Sequence, residues 1–270
     1  MISVLFIFTI FGFWLLVRCI FTKIIRHMLF QPSGIVGKYH EESYDDIYLE
    51  NRINMRLFRR KQNNKVLLFC HGSGGNLSGR KNFIELTQKI GVDLCIFDYR
   101  GYGKSIPYFE PTQESITEDG IYMYDYLTRS YSKDNIVLCG SSMGSYVATY
   151  VAKEKNCKKL ILFDVLSSID DVAANAVKNN IIFVCLIKIL LFILYFSNIE
   201  LLRTNKIIKK LDCEILMIHG EKDNLTSAEH VKKMANKCSN ISLIILPNAN
   251  HYTIFHYTDL FIKKLEIIIF

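Results

Sequence analysis

One short segment of the chain carries residues that could form a covalent catalyst. Residues 140–144 read Gly-Ser-Ser-Met-Gly and fit the pattern G-x-S-x-G, with Ser142 at the central position. In this pattern the serine occupies a tight strand-to-helix turn, and the glycines allow neighbouring backbone to approach closely. A serine hydroxyl becomes a good nucleophile when a base takes its proton and a third group orients that base. The segment therefore predicts acyl transfer through Ser142, if an acid and a histidine lie beside it.

Two later segments provide these partners in the order acid, then histidine. Asp223 follows the apolar run 213–220, and His251 follows the apolar run 241–247. The carboxyl ends of parallel strands lie at one edge of a sheet, where ligands of open α/β sheets bind. We therefore expect Ser142, Asp223 and His251 to meet there as nucleophile, acid and base.

Other residues remain alternatives for these roles. Asp164 and Asp170 follow the sixth predicted strand and could supply the acid instead. His256 lies close to His251 in the sequence, whereas His219 precedes a glycine at a strand end and is expected to be structural.

The oxyanion of an acyl-transfer intermediate needs two N–H donors. The backbone of Met143, directly after the nucleophile, is expected to supply one of them. The glycine-rich loop 70–76 is expected to supply the other, with Ser73 as the predicted donor and Gly74 as the alternative. Neither a phosphate-binding G-x-x-x-x-G-K-[ST] pattern nor a G-x-G-x-x-G that opens a helix is present, so a nucleotide is not expected.

Apolar runs alternate with helical stretches along the chain and define the elements that must position these residues. The runs are continuous in Val, Ile and Leu, which indicates strands covered on both faces in a mostly parallel sheet. The first two strands are expected to form a hairpin, and helices separate the others. The eight predicted strands are 44–50, 53–60, 66–71, 93–99, 135–140, 159–165, 213–220 and 241–247.

Composition supports one large α/β domain. Half of the 270 residues are hydrophobic and 13% are aromatic, which excludes a disordered chain. The net charge of +7 comes from scattered lysines without a basic, aromatic-interleaved block, so nucleic acid is not an expected partner. The eight cysteines contain no C-x-x-C pair, which disfavours a zinc ribbon and a thioredoxin-type site. We expect a reducing compartment, and no metal or cofactor.

The first residues of the chain form an apolar segment without charge. Residues 2–17 carry no charge and are followed by Arg18, Lys23 and Arg26. We expect residues 1–22 to be a single-pass membrane anchor, with the positive flank and the domain that follows on the cytosolic side. A cleaved signal peptide is the alternative, but the basic start and small-residue cleavage site that it requires are absent.

A second apolar segment lies in the predicted insertion between the sixth and seventh strands. We place the domain at 38–270 and a helical cap at about 168–210, which contains the apolar stretch 181–197 with the single charge of Lys188. This stretch is interpreted as a hydrophobic lid over the site. A core helix of the cap and a second transmembrane helix are the alternatives.

Four motifs together resemble the α/β-hydrolase superfamily, most closely its ABHD-type and serine-aminopeptidase-like hydrolases, including branches with an N-terminal membrane anchor. The likeness spans roughly residues 44–260, and the motifs are HGSGGN (71–76), FDYRGYGKS (97–105), GSSMG (140–144) and HGEKD (219–223) with the final His251. The resemblance implies an α/β-hydrolase fold with an eight-stranded, mostly parallel sheet. It assigns Ser142, Asp223 and His251 to the catalytic triad, and Ser73 with Met143 to the oxyanion hole.

Members of this superfamily cleave esters, thioesters, lipids or peptides. We expect this chain to be a serine hydrolase of acyl ester or thioester bonds, acting on an acyl-containing small molecule, a lipid or an acylated protein. A peptidase and a catalytically silent scaffold that keeps the fold remain alternatives.

Overall fold

The computed structural model describes residues 2–35, 37, 44–50, 53–60, 64–105, 108–176 and 202–270. Its strands are β1 (Gln31–Pro32), β2 (Asp45–Leu49), β3 (Ile53–Phe58), β4 (Val66–Cys70), β5 (Gly74–Gly75), β6 (Asp93–Phe97), β7 (Ile136–Ser141), β8 (Lys159–Phe163), β9 (Glu214–Gly220) and β10 (Ile241–Leu246). Its α-helices are α1 (Ile2–Leu29), α2 (Lys81–Ile90), α3 (Gln113–Leu127), α4 (Met143–Lys155), α5 (Ile169–Ala176), α6 (Thr204–Ile207), α7 (Ala228–Ala235) and α8 (Ile262–Ile269).

Eight of the strands form one sheet in the order β10-β9-β8-β7-β4-β6-β3-β2. Strand β3 runs antiparallel to both of its neighbours, and every other adjacent pair is parallel. Helices connect the parallel strands, because parallel neighbours need a long crossover connection. The predicted fold class, an eight-stranded and mostly parallel α/β-hydrolase sheet flanked by helices, is confirmed.

Strand β4 shows why the sheet can have helices on both faces. All five of its residues are apolar and no more than 2% exposed. Val66, Leu68 and Cys70 belong to the cluster of buried side chains on one face, whereas Leu67 and Phe69 belong to the cluster on the other. Successive side chains of a strand point to opposite faces, so a continuous apolar run fills two cores at once.

The short parallel pair formed by β1 and β5 was not predicted. Gln31 pairs with Gly74, and Pro32 pairs with Gly75. Two-residue strands of this composition have no hydrophobic periodicity, so the sequence contains no signal for them.

The predicted membrane anchor over 1–22, and the membrane localisation derived from it, are wrong. Among the described residues, no helix combines the length and the apolarity needed to cross a membrane. The uncharged part of α1 covers residues 2–17, and the helix then continues through Arg18, Lys23 and Arg26. At roughly 1.5 Å per residue, this uncharged part is about 24 Å long, short of a hydrocarbon core of about 30 Å.

The cap between β8 and β9 is described at its two ends. Helix α5 leaves the sheet after β8, and α6 leads back towards β9. The Arg203 guanidinium joins the two ends, because its Nε lies 2.9 Å from the Asp170 carboxylate. The stretch 181–197, interpreted from the sequence as a lid, lies outside the described residues. The bounds of the domain at 38–270 and of the cap at 168–210 stay predictions.

Candidate active site

Ser142 lies on the turn between β7 and α4, as the sequence pattern predicts. Its backbone has φ 54° and ψ −122°, a conformation that is rare for a residue with a Cβ atom. The turn is fixed because the Ser142 N–H donates to the Phe163 carbonyl at 3.0 Å. A Cβ atom at Gly144 would overlap the Cys70 carbonyl oxygen, so a glycine is required where α4 crosses β4. The strained turn presents the Ser142 hydroxyl at the carboxyl edge of the sheet.

The structure brings Ser142, His251 and Asp223 together from the ends of three strands. Ser142 Oγ lies 3.0 Å from His251 Nε2, and His251 Nδ1 lies 2.7 Å from Asp223 Oδ2. Asp223 follows β9, and His251 follows β10. The geometry orients the imidazole with Nδ1 towards a carboxylate and Nε2 towards a hydroxyl, as a general base requires.

Asp223 is held as an anion by a small turn of its own. Oδ1 accepts hydrogen bonds from the backbone N–H groups of Leu225 and Thr226, each at 2.8 Å. Oδ2 accepts a further bond from the Thr226 hydroxyl at 2.7 Å. Burial by itself would raise the pKa of Asp223, but the hydrogen bond and the electrostatic interaction with His251, together with the Thr226 donors, hold that pKa below its usual value. The sequence analysis missed Thr226: the Asx turn of Asp223 involves the Leu225 N–H, and nothing in the sequence indicates the additional bond from the Thr226 hydroxyl.

Asp164, an alternative acid from the sequence, lies beside this pair in a different state. Its carboxyl is 2% exposed, and ligand-type atoms of Asp164, Asp223 and His251 all lie within 4.8 Å of one another. Burial, and secondarily the charge of Asp223, raise the pKa of Asp164 to about 9. Asp164 is therefore protonated at neutral pH, and the carboxylate that contacts His251 Nδ1 is that of Asp223.

The same three side chains are a conceivable metal-ligand group. Both His251 ring nitrogens are already engaged, Nδ1 by Asp223 and Nε2 by Ser142, and Asp164 carries a proton. A metal would require these hydrogen bonds to be given up, so the absence of a metal stays our prediction for this site.

Asp170 and His256 make other local contacts, whereas His219, expected to be structural, lies beside the acid with its Nε2 3.6 Å from Asp223 Oδ2. Asp170 pairs with Arg203, as described above for the cap. The His256 N–H donates to Thr253 within a local turn. His219 accepts a hydrogen bond from the Val165 N–H at Nδ1 and donates through Nε2 to the Thr226 carbonyl. Burial lowers the pKa of His219, so both of its nitrogens serve the structure in the neutral form.

A substitution of Asp164 tests its protonation. The folded wild type keeps this proton up to about pH 9, whereas an unfolded Asp loses it near pH 4, so rising pH destabilises the fold between these values. Asn cannot ionise and tolerates the positive φ of 45° at this position. We expect the Tm of Asp164→Asn minus that of wild type to increase as the pH rises from about 5 to 8. A difference that is constant or shrinks in thermal melts over this range would show that Asp164 is ionised.

The loop 71–76 lies against the nucleophile. A Cβ atom at Gly72 would lie 3.4 Å from the Ser142 Cβ. The Gly72 carbonyl accepts hydrogen bonds from His71 Nδ1 at 2.7 Å and from Arg80 Nη2 at 3.4 Å. In a trans peptide the carbonyl and the next N–H point in opposite directions, so these two bonds fix the direction of the Ser73 N–H. The roles of Ser73 and Met143 as oxyanion donors stay predictions.

The stretch 97–105 supports this loop from behind. Asp98 Oδ1 accepts a hydrogen bond from the Leu77 N–H at 2.6 Å, and the Tyr99 hydroxyl donates to the His71 carbonyl at 3.1 Å. The Tyr102 hydroxyl donates to the Ser73 carbonyl at 3.0 Å. The characteristic DYRGY sequence is thereby explained as a scaffold for the loop, a role that its composition alone does not indicate.

Arg80 was also missed by the sequence analysis. Its Nη2 donates to the Gly74 carbonyl as well as to Gly72, so one guanidinium spans the loop. We expect Arg80→Met to lower kcat by about tenfold with little change in KM, because a displaced donor weakens transition-state binding. Arg80→Lys keeps the charge but cannot span both carbonyls with a planar guanidinium. We expect its kcat in steady-state assays to lie between that of wild type and that of Arg80→Met. An unchanged kcat in Arg80→Met would exclude this positioning role.

Comparisons with known proteins agree with this architecture. A family model described as alpha/beta hydrolase fold matches residues 65–180. The chain is 26% identical over 244 residues to a protein of Acanthamoeba polyphaga mimivirus whose name describes an alpha/beta hydrolase, covering 84% of this chain and 86% of that protein. It is 27% identical over 93 residues to the lysophosphatidylserine lipase ABHD12 of Rattus norvegicus, a match that covers 34% of this chain and only 23% of that protein.

A solved structure extends the likeness to nearly the whole fold. The esterase Pf2001 of Pyrococcus furiosus superposes with a TM-score of 0.69 at 19% identity, covering 89% of this chain and 96% of the esterase. Taken with the sheet order, these findings show an α/β-hydrolase fold, and ABHD12 proteins are among the proteins that this chain is similar to.

Proposed function

We propose that this α/β hydrolase is a serine hydrolase that cleaves acyl ester or thioester bonds. One observation carries the proposal: the continuous hydrogen-bonded series from Ser142 through His251 to the anionic Asp223, with separations of 3.0 and 2.7 Å. No step in this chemistry calls for a metal or a cofactor.

The proposed reaction has two halves. Ser142 Oγ attacks the acyl carbon while His251 Nε2 takes the hydroxyl proton, and Asp223 stays ionised and stabilises the imidazolium. The Ser73 and Met143 N–H groups donate to the oxyanion that forms. His251 then protonates the leaving alcohol or thiol, and the acyl group remains on Ser142. Water, deprotonated by His251, releases the acid and restores the hydroxyl.

The substrate class is proposed from the relatives. ABHD12 is named as a lysophosphatidylserine lipase, and the esterase Pf2001 shares the fold of this chain. We therefore propose an acyl-containing small molecule or a single-chain lipid as the substrate, and an acylated protein as a further candidate.

A matched substrate panel tests this proposal. One octanoyl group would be presented as an oxygen ester, as a thioester and as an amide, with an aminoacyl amide as the peptidase substrate. We expect turnover of the ester and the thioester, and none by Ser142→Ala. Cleavage of the aminoacyl amide alone would support the peptidase alternative. A folded protein without turnover of any compound would support the scaffold.

A further inference from the structure

A large cavity, whose lining does not include Ser142, Asp223 or His251, lies beside the strand that pairs with Gly74 and Gly75. It has a volume of about 1040 Å³ and is bounded by the last turns of α1, by β1 and by residues 108–111. Ligand cavities for small molecules typically measure about 300–1,000 Å³, so this one can hold a polar head group together with part of a glycerol backbone.

The helical wall of the cavity is basic. Lys23, Arg26 and His27 line it and follow one another at the spacing i, i+3 and i+4, which places them on one face of α1. Glu110 is the one acidic residue among those that line the cavity. The lining therefore carries net positive charge at neutral pH, and an Arg with a Lys beside it suits a phosphate oxygen group.

The opposite wall is held in a fixed position. The Arg100 guanidinium lies 5.3 Å from the Phe109 ring centre, and it binds Asp119 through Nε at 2.6 Å. Gly101, with φ 88°, lets the Phe109 carbonyl approach so closely that a Cβ atom would overlap it. This wall is therefore formed before any ligand binds, which lowers the entropic cost of binding.

The cavity adjoins the predicted oxyanion loop through one strand. Gln31 and Pro32 line the cavity and also pair with Gly74 and Gly75. The Gln31 N–H donates to the Ser73 carbonyl at 3.1 Å. Paired strands lie about 4.8 Å apart, so a ligand in the cavity is separated from the loop by a single strand spacing.

From this arrangement we propose that the cavity binds a phosphate group, with Lys23 and Arg26 as its cations and His27 as a hydrogen-bonding residue beside them. The phosphate belongs either to the head group of the acyl substrate or to a free phosphate monoester. The first case builds on the proposed function and makes the substrate an anionic, single-chain acyl glycerophosphate. In the second case, β1 transmits occupancy of the cavity to the loop that holds Ser73.

Direct binding tests the site without any reference to catalysis. Glycerol 3-phosphate would be titrated calorimetrically into the full-length chain at constant ionic strength, with glycerol as the uncharged control. We expect Lys23→Gln/Arg26→Gln to raise Kd for the phosphate at least about tenfold, because charge-assisted hydrogen bonds are lost. Arg26→Lys keeps the charge and is expected to stay near wild type, and Lys237→Gln is a matched control at an exposed lysine outside the cavity.

Kinetics then identify the source of the phosphate. If it is the substrate head group, the double variant raises KM for 1-octanoyl-glycerol 3-phosphate and leaves kcat and the hydrolysis of 1-octanoyl-glycerol unchanged. Binding of glycerol 3-phosphate without a preference between the two esters identifies a free phosphate monoester as the ligand.

Two results separate this proposal from the proposed function. If the chain cleaves no ester, the proposed function fails, and the calorimetric Kd of the double variant still decides the cavity. The phosphate site is overturned if wild type and double variant bind glycerol 3-phosphate with the same Kd, or if neither binds it, and if both show the same ratio of KM for 1-octanoyl-glycerol 3-phosphate and 1-octanoyl-glycerol. The proposed hydrolysis by Ser142 would not be affected by that result.

Discussion

Replacement of Ser142 by Ala is expected to lower kcat by up to about a millionfold, the loss seen when a triad serine is removed elsewhere. Ala lacks the Oγ that lies 3.0 Å from His251 Nε2, so no acyl-enzyme can form. KM is expected to change little, because binding of the acyl chain does not depend on the hydroxyl. Steady-state hydrolysis of a chromogenic octanoyl ester measures both quantities.

The neighbouring serine provides a matched control. Ser141 is the last residue of β7, and the hydrogen bonds of the triad do not include its side chain. Ser141→Ala is therefore expected to keep kcat within a few-fold of wild type. A large loss of kcat in Ser141→Ala, with activity retained in Ser142→Ala, would show that Ser141 is the nucleophile and would contradict the assignment of Ser142.

Asp223→Asn is expected to reduce kcat by about 10⁴-fold, as an equivalent change does in a well-studied triad. The amide can donate a hydrogen bond to Nδ1, which places the imidazole proton on Nε2 and removes the acceptor for the Ser142 proton. It also removes the charge that stabilises the imidazolium. The kcat of the purified variant on the same ester measures this effect.

Two other aspartates serve as controls for the acid. Asp164→Asn exchanges a protonated carboxyl for an amide of similar shape, and Asp170→Asn alters a residue that pairs with Arg203 in the cap. Both variants are expected to stay within about tenfold of wild type in kcat, since neither carboxyl orients His251. A loss in Asp164→Asn as large as that in Asp223→Asn would contradict the assignment of the acid.

Much of the sheet could be predicted from the sequence because its strands are buried on both faces. The run 66–71 has no polar interruption before His71, and the structure ends β4 at Cys70. The hairpin of β2 and β3 was likewise predicted within about two residues, which is the usual uncertainty of strand ends. The pair of β1 and β5 could not be predicted, because its stability comes from hydrogen bonds to a distant loop.

The candidate site likewise contains residues that the sequence predicts and residues that only the structure identifies. Ser142, Asp223 and His251 could be placed at one edge because each follows a recognisable strand. The choice of Asp223 over Asp164 requires burial and neighbouring charge, since both residues follow strands at that edge. Arg80 lies eight residues beyond Gly72 in the chain, and its guanidinium reaches the Gly72 carbonyl because the 3₁₀ turn Leu77–Gly79 lies between them.

The prediction for the N-terminal segment failed for a physical reason as well. The hydropathy of residues 2–17 is typical of a membrane-spanning helix. The apolar length of a helix ends where its charged residues begin, however, and the uncharged part of α1 is shorter than the hydrocarbon core of a membrane. Lys23 and Arg26 lie within α1 itself and, together with His27, line the cavity beside β1.

The site of reaction with a fluorophosphonate probe tests the central claim most directly. The probe forms a stable phosphonyl ester with a serine that a neighbouring base has activated. Mass spectrometry of the digested wild type should locate a single adduct on Ser142, and the adduct should be absent from Ser142→Ala and greatly slowed in Asp223→Asn. A folded wild type that forms no adduct, or one modified at another serine, would contradict the proposed triad.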